Sequence, residues 1–255
     1  MRVRGPGAIT RALRSVLSSV TIPEPNLPAL DIVISDAAEA RGMIGDAMAW
    51  TITLPRRGWL APLLGYVVGT ATSALRSLLF VHAAVVALKG RGFVLVGTPW
   101  AGKSSAAAVL IRHGAAYLSD EVALLDPETG TLHPFALPLA VKPWTAAAIG
   151  PLPPVREVAA EGGVRYLLPS RMSGPVPLDS VILLDAGRPP RDAVAVSPAE
   201  MLLNLSQHPS SFRYRPRLEA AFTGFVQILR HARCLQVGSS VPAETAAVVS
   251  SLPSR

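Results

Sequence analysis

Apolar positions along the chain gather in short runs separated by Gly, Pro and charged residues. Asp31–Ser35 (DIVIS) and Ala49–Leu54 (AWTITL) alternate or cluster β-forming side chains and predict strands of an N-terminal β-rich part. Ile9–Val20 predicts a short amphipathic helix, read as a surface helix or a frayed end, and Pro62–Phe80 a longer helix with Arg76 on its wetter side. Ala83–Leu88 and Gly92–Val96 are apolar strands joined by a tight Lys89-Gly90-Arg91 hairpin. Lys103–His113 is helical in composition, and Gly114 stands where a left-handed C-cap belongs. Two short strands follow, Ala116–Ser119 and Val122–Leu125, before an Asp126–Gly130 turn (DPETG).

The stretch Leu137–Pro175 is rich in Pro and Gly and predicts irregular connections or a mobile flap. Beyond it, Val181–Asp185 (VILLD) is a buried strand, and Pro198–Ser206 and Leu218–Ala232 are helices. Cys234–Val237 is a last strand, and a helix runs from about Ala243 to Leu252. Short strands placed before helices, repeatedly, predict an α/β core. The expected organisation is a small β-rich segment over residues 1–60 and a main core over residues 61–255.

Composition narrows the picture without choosing a partner. In 255 residues, 50% are hydrophobic and 16% charged, which excludes disorder throughout. One cysteine, Cys234, excludes an internal disulfide and a multi-cysteine metal site. The net charge of +7 is carried almost wholly by arginine. No interleaving of basic and aromatic residues accompanies it, so nucleic acid is not expected as a partner. The N-terminus lacks the apolar stretch of a secretory signal. In the most hydrophobic region, Leu60–Leu75 offers 16 residues, short of the ~18 that flag a bilayer span. The chain is therefore expected to be soluble and cytoplasmic, with no membrane span.

The chemistry is carried by Gly97-Thr98-Pro99-Trp100-Ala101-Gly102-Lys103-Ser104, a full G-x-x-x-x-G-K-[ST] match between a predicted strand and a predicted helix. Glycines let backbone N–H groups converge on phosphate oxygens at the positive end of the helix. Lys103 adds a charge-assisted contact, and the Ser104 hydroxyl can ligate Mg²⁺. Pro99 removes one donor from the loop and Trp100 is a bulky residue to find there, either neutral at a variable position or a shield over the site. Asp120-Glu121 follow the loop's helix and a short strand, so two carboxylates are expected beside the cradle, one to accept a hydroxyl proton and one to help hold metal. His82 is expected at the start of the strand before the P-loop strand. If those two strands pair as a hairpin, it approaches Asp120 and sets that acid's orientation.

Taken together, Val81–Asp126 resembles the catalytic core of bacterial HPr kinase/phosphorylase and its shorter serine-kinase-like relatives. Its histidine is matched by His82, its P-loop by Gly97–Ser104 and its acidic pair by Asp120 and Glu121, although the full-length enzymes carry aspartate at the second acid. The downstream signature that supports dephosphorylation is not found. The resemblance implies an α/β fold of the phosphoenolpyruvate-carboxykinase-like P-loop type and an ATP- and Mg²⁺-dependent kinase. Its implied substrate is a serine hydroxyl of a peptide or small protein, such as a ribosomally made peptide precursor. It gives Asp120 the role of base, His82 that of orienting it, and Ser104 and Glu121 that of serving Mg²⁺. Lys142, Arg171, Arg213 and Arg215 are candidates for contacting phosphate or peptide acid groups, Lys142 foremost because it sits in a Pro-bounded apolar run. A nucleotide-binding regulator without transfer and a small-molecule kinase remain open beside this reading, and a homo-oligomer is compatible with it.

Overall fold

A computed structural model of the chain describes residues 1–5, 7–21, 27, 29–35, 39–75, 77–151, 154–207 and 218–253. Arg76, Arg213 and Arg215 lie outside the described residues.

The N-terminal part is a four-stranded sheet in the order β1 (Arg2–Arg4), β2 (Leu30–Ile34), β3 (Glu39–Ile44), β4 (Ala47–Thr53), with helix α1 (Gly7–Leu17) between its first two strands. α1 is not a frayed surface helix: Leu13, Val16 and Leu17 are buried in a cluster with Ile32 and Ile34. The same cluster takes in Leu60, Leu63 and Val67 of α2 (Leu60–Ser73) and Phe80, Leu124, Phe135 and Tyr166 from further along the chain.

The predicted helix over 62–80 ends early. Leu79–His82 instead forms strand β5, which pairs antiparallel with β9 (Val122–Leu125) in the register Leu79↔Leu125 to His82↔Val122. An apolar run of this kind suits a helix or a buried strand equally, and the waiting edge of β9 decides it. The next strands are β6 (Ala84–Leu88) and β7 (Arg91–Val96), a hairpin whose two turn residues, Lys89 and Gly90, have φ of 50° and 75°. Positive φ at both turn positions matches the twist of the flanking strands.

Helix α3 (Lys103–Arg112) follows β7. It ends as predicted at Gly114 (φ 96°), where Gly114 N–H donates to Ile111 O and Ala115 N–H to Leu110 O, both at 3.0 Å. After β8 (Ala116–Ser119) and β9 come β10 (Thr131–His133), β11 (Leu139–Val141), α4 (Pro143–Ile149), β12 (Val155–Glu161) and β13 (Val164–Pro169). Residues 137–175 are thus not an irregular flap. They hold α4 and a three-stranded antiparallel sheet, β11-β13-β12. Their Pro and Gly residues punctuate these elements: Pro143 opens α4, and Gly162-Gly163, with φ of 60° and 81°, turn β12 into β13.

The chain then forms β14 (Val176–Asp185), β15 (Val194–Ala195), α5 (Pro198–Gln207), α6 (Leu218–His231), β16 (Arg233–Gly238) and α7 (Pro242–Ser250). The main sheet runs β5-β9-β10-β14-β7-β6-β8, with β16 parallel to β14 and β15 on β16. β14 is parallel to β7, and its alternating side chains divide the core between two faces. Ile182 and Leu184 join α3 and α7 on one face, and Val181 and Leu183 join α5 and α6 on the other. The fold is therefore mixed α/β. At the far end of β14, Asp179 accepts from Arg91 Nη1 at 3.0 Å, Arg233 Nε at 3.2 Å and Ser180 Oγ at 2.6 Å. These contacts outweigh its burial and hold its carboxyl below the usual carboxylate range. No helix among the described residues is long and apolar enough to cross a membrane.

Candidate functional site

The loop Gly97–Ser104 leaves the C-terminal end of β7 and enters α3, the strand–loop–helix context that the motif requires. Gly97 has φ 151°, and a Cβ there would lie 2.8 Å from Leu184 O and 2.9 Å from Ala101 Cβ, so only glycine lets the loop turn against β14. Gly102, at the N-cap of α3, is left-handed with φ 85°. Thr98 O accepts from Ala101 N–H at 3.1 Å, closing the turn that contains Pro99 and Trp100. Lys103 is only 8% exposed, and its Nζ folds back to donate to Gly97 O at 3.0 Å and Thr98 O at 3.2 Å. Burial lowers its pKa, against the raising influence of Asp120 and Glu121.

The acidic pair occupies the tight link between β8 and β9. Ser119 Oγ accepts the N–H groups of Glu121 at 3.4 Å and Val122 at 3.1 Å, which turns the chain and sends the two carboxylates in different directions. Asp120 is 6% exposed. Its Oδ2 accepts from Ala140 N–H of β11 at 3.4 Å, while its Oδ1 is buried without a hydrogen-bond partner. Burial pushes its pKa up to about 7, with the charge of Glu121 in the same direction and Ser104, the Ala140 N–H and His82 opposing. Glu121 faces outward, with its side chain 51% exposed.

His82 meets Glu121 rather than Asp120. Its Nδ1 lies 3.0 Å from Glu121 O and 3.2 Å from Glu121 Oε1. No hydrogen bond or ion pair joins it to Asp120 among the described residues. The reason is topological: His82 ends β5 instead of opening the β6–β7 hairpin, and the His82↔Val122 register sets it beside the residue preceding Val122. Ala83 N–H also donates to Glu121 O, at 3.3 Å, so the break between β5 and β6 is fastened to the acidic turn. Burial lowers the imidazole's pKa, but the hydrogen bond and charge of Glu121 outweigh it and the net direction is up.

These groups share one cleft of about 550 Å³ lined by His82, Pro99, Trp100, Gly102, Lys103, Ser104, Asp120 and Glu121. The same cleft is lined by Ala61, Leu64 and Gly65 of α2 together with Leu137, Pro138 and Tyr166. Lys142, Trp144 and Thr145 at the start of α4 complete the rim. Lys142 lines the cleft, its Nζ 4.3 Å from the centre of the Trp100 ring. Arg171 does not. It is exposed and sits by Gly114, beyond the opposite end of α3 from the loop. The sequence reading missed Trp144 and Tyr166. Trp144 was signalled by the Lys142-Pro143-Trp144 run, whereas Tyr166 reaches the cleft only through the β11–β13 pairing. Burial, followed by the charges of Glu161 and Glu121, pushes the Tyr166 hydroxyl up to about 12, so it remains a neutral donor.

No group of three or more His, Cys, Asp or Glu side chains among the described residues forms a metal cage. Ser104 and Glu121 nevertheless put hard oxygen donors in the cleft, a pair suited to Mg²⁺ when phosphate oxygens supply the remaining ligands. The sequence matches no protein-family model and no curated protein.

Proposed function

We propose that this protein is an ATP- and Mg²⁺-dependent kinase that phosphorylates a serine hydroxyl of a peptide or small protein. It would be similar to the short HPr kinase-like enzymes and built on a phosphoenolpyruvate-carboxykinase-like P-loop core. The observation that carries the reading is Asp120: a buried carboxylate with one unpartnered oxygen lines the same cleft as the Gly97–Ser104 loop and Lys103. A buried acceptor without a partner is costly, and a hydroxyl donor entering the cleft relieves that cost.

In this mechanism the backbone N–H groups of the loop hold the phosphates and Lys103 balances their charge. Asp120 Oδ1 takes the proton of the serine hydroxyl as its oxygen bonds to the γ-phosphorus. The bond from that phosphorus to the bridging oxygen breaks, and ADP leaves with the electron pair. Ser104 and Glu121 would hold Mg²⁺, which when bound supplies positive charge to the phosphate oxygens. His82 is a positioning residue that fixes Glu121 through Nδ1. A ribosomally made peptide precursor is the acceptor class we favour, in a cytoplasmic setting.

The test is to incubate the full chain with ATP, Mg²⁺ and a panel of serine-containing peptides, reading ADP release and peptide mass. Asp120→Asn is expected to cut transfer about 10²- to 10⁴-fold while leaving ATP binding in place. Transfer at the wild-type rate would remove Asp120 as the base. A second reading, a nucleotide-binding regulator without transfer, draws on the glutamate at position 121, where the full-length HPr kinase/phosphorylases carry aspartate, and on its tie to His82. It predicts ATP binding with no ADP formed at any acceptor.

A further inference from the structure

Trp100 and Trp144 are 73% and 57% exposed, so neither adds much burial to the core. Trp100 also has φ 72°, a backbone region that a bulky residue reaches only at a cost and that gathers at functional sites. The two rings nevertheless meet, with centroids 5.8 Å apart and planes tilted by 35°. Lys142 Nζ lies 4.3 Å from the centre of one ring and 5.4 Å from the other. Lys142 makes no ion pair among the described residues. Lys142 therefore lies over both exposed rings as a cation that a ligand can displace.

We propose that Trp100 and Trp144 form the seat for the base of a purine nucleoside triphosphate, which stacks on the rings and displaces Lys142 toward the phosphates. This rests on the nucleotide reading above and extends it from the phosphates to the base. Trp100 belongs to the loop itself, two residues before Gly102, so a ring stacked there is within a nucleoside's reach of phosphates held at the start of α3. Both tryptophans line the same cleft as Lys103 and Ser104. A purine has two π faces and needs no hydrogen-bond partner to stack, which suits a pair of exposed rings.

The experiment compares binding of ATP and of inorganic tripolyphosphate, each with Mg²⁺, to the wild-type chain, W144A and W144F by titration calorimetry. W144A is expected to weaken ATP roughly tenfold or more and to leave tripolyphosphate unchanged, while W144F stays near wild type on both. Wild-type affinity of W144A for ATP overturns the seat, and so does an equal loss of both ligands, which would put Trp144 on the phosphates. An unchanged ATP affinity with a raised KM for an acceptor peptide assigns the rings to the acceptor and also overturns it. If the wild-type chain binds neither ligand, the nucleotide reading itself fails and takes the seat with it.

Discussion

Replacing Asp120 by asparagine should stabilise the protein while, under the proposed mechanism, it removes transfer. The carboxyl titrates at about 7 in the folded chain against an ordinary value of 3.8, chiefly because it is buried. The folded state therefore holds a proton that the unfolded state has released between those two values, and stability falls as pH rises across that window. At about 1.4 kcal/mol for each pH step, ionisation costs the folded state about 4 kcal/mol above pH 7. Asparagine never ionises, but its amide N–H₂ would stand where Oδ1 now has no partner, returning about 1–3 kcal/mol as an unmet donor. The net gain is about 2 kcal/mol at pH 8, or about 4–8 °C in Tm for a chain of this size. Well below pH 3.8 the wild-type carboxyl is protonated in both states, so the advantage disappears. Urea unfolding of nucleotide- and metal-free wild-type and Asp120→Asn proteins at pH 4, 5, 6, 7 and 8 measures this directly. A difference between the two that does not change from pH 5 to pH 8 would refute the argument.

Two further expectations concern the frame of the site. Asp179→Asn leaves the guanidiniums of Arg91 and Arg233 without their carboxylate and should cost about 3 kcal/mol. Because this carboxyl titrates below its ordinary value, its stabilisation is present above the unfolded value and is lost as pH falls through the folded one. The cost of the substitution should accordingly shrink in acid denaturation as pH falls below 3.8. Gly97→Ala forces a Cβ to within 2.8 Å of Leu184 O at φ 151°. It should lower stability by about 1–3 kcal/mol and abolish tripolyphosphate binding, read by calorimetry, while far-UV circular dichroism is retained.

The parts of the site that were legible in the sequence are those governed by local rules. Gly97, Gly102, Lys103 and Ser104 state their own backbone and charge requirements, and Gly114 marks the end of α3 through its left-handed φ. The Asp120-Glu121 turn was equally visible between two short apolar runs. What could not be read depends on strand pairing across long separations. His82 finds Glu121 only because β5 pairs with β9. Tyr166 and the Ala140 N–H reach the cleft only because residues 139–141 and 164–169 form a sheet. In that sheet, the Gly and Pro residues expected to keep the chain irregular turn out to delimit its elements. Such residues announce a boundary without saying what lies on either side of it.

Before any ligand arrives, the Lys103 ammonium already occupies the middle of its own loop, held by the carbonyls of Gly97 and Thr98. The dehydration of that cation was completed when the chain folded, so an incoming anion meets a charge stripped of most of its water. Under the proposed nucleotide reading, association then needs a swap of two carbonyl partners for phosphate oxygens, a short swing of one side chain. The loop should accordingly change shape little on filling, and selectivity should be decided by what the cleft walls do with the remainder of the guest.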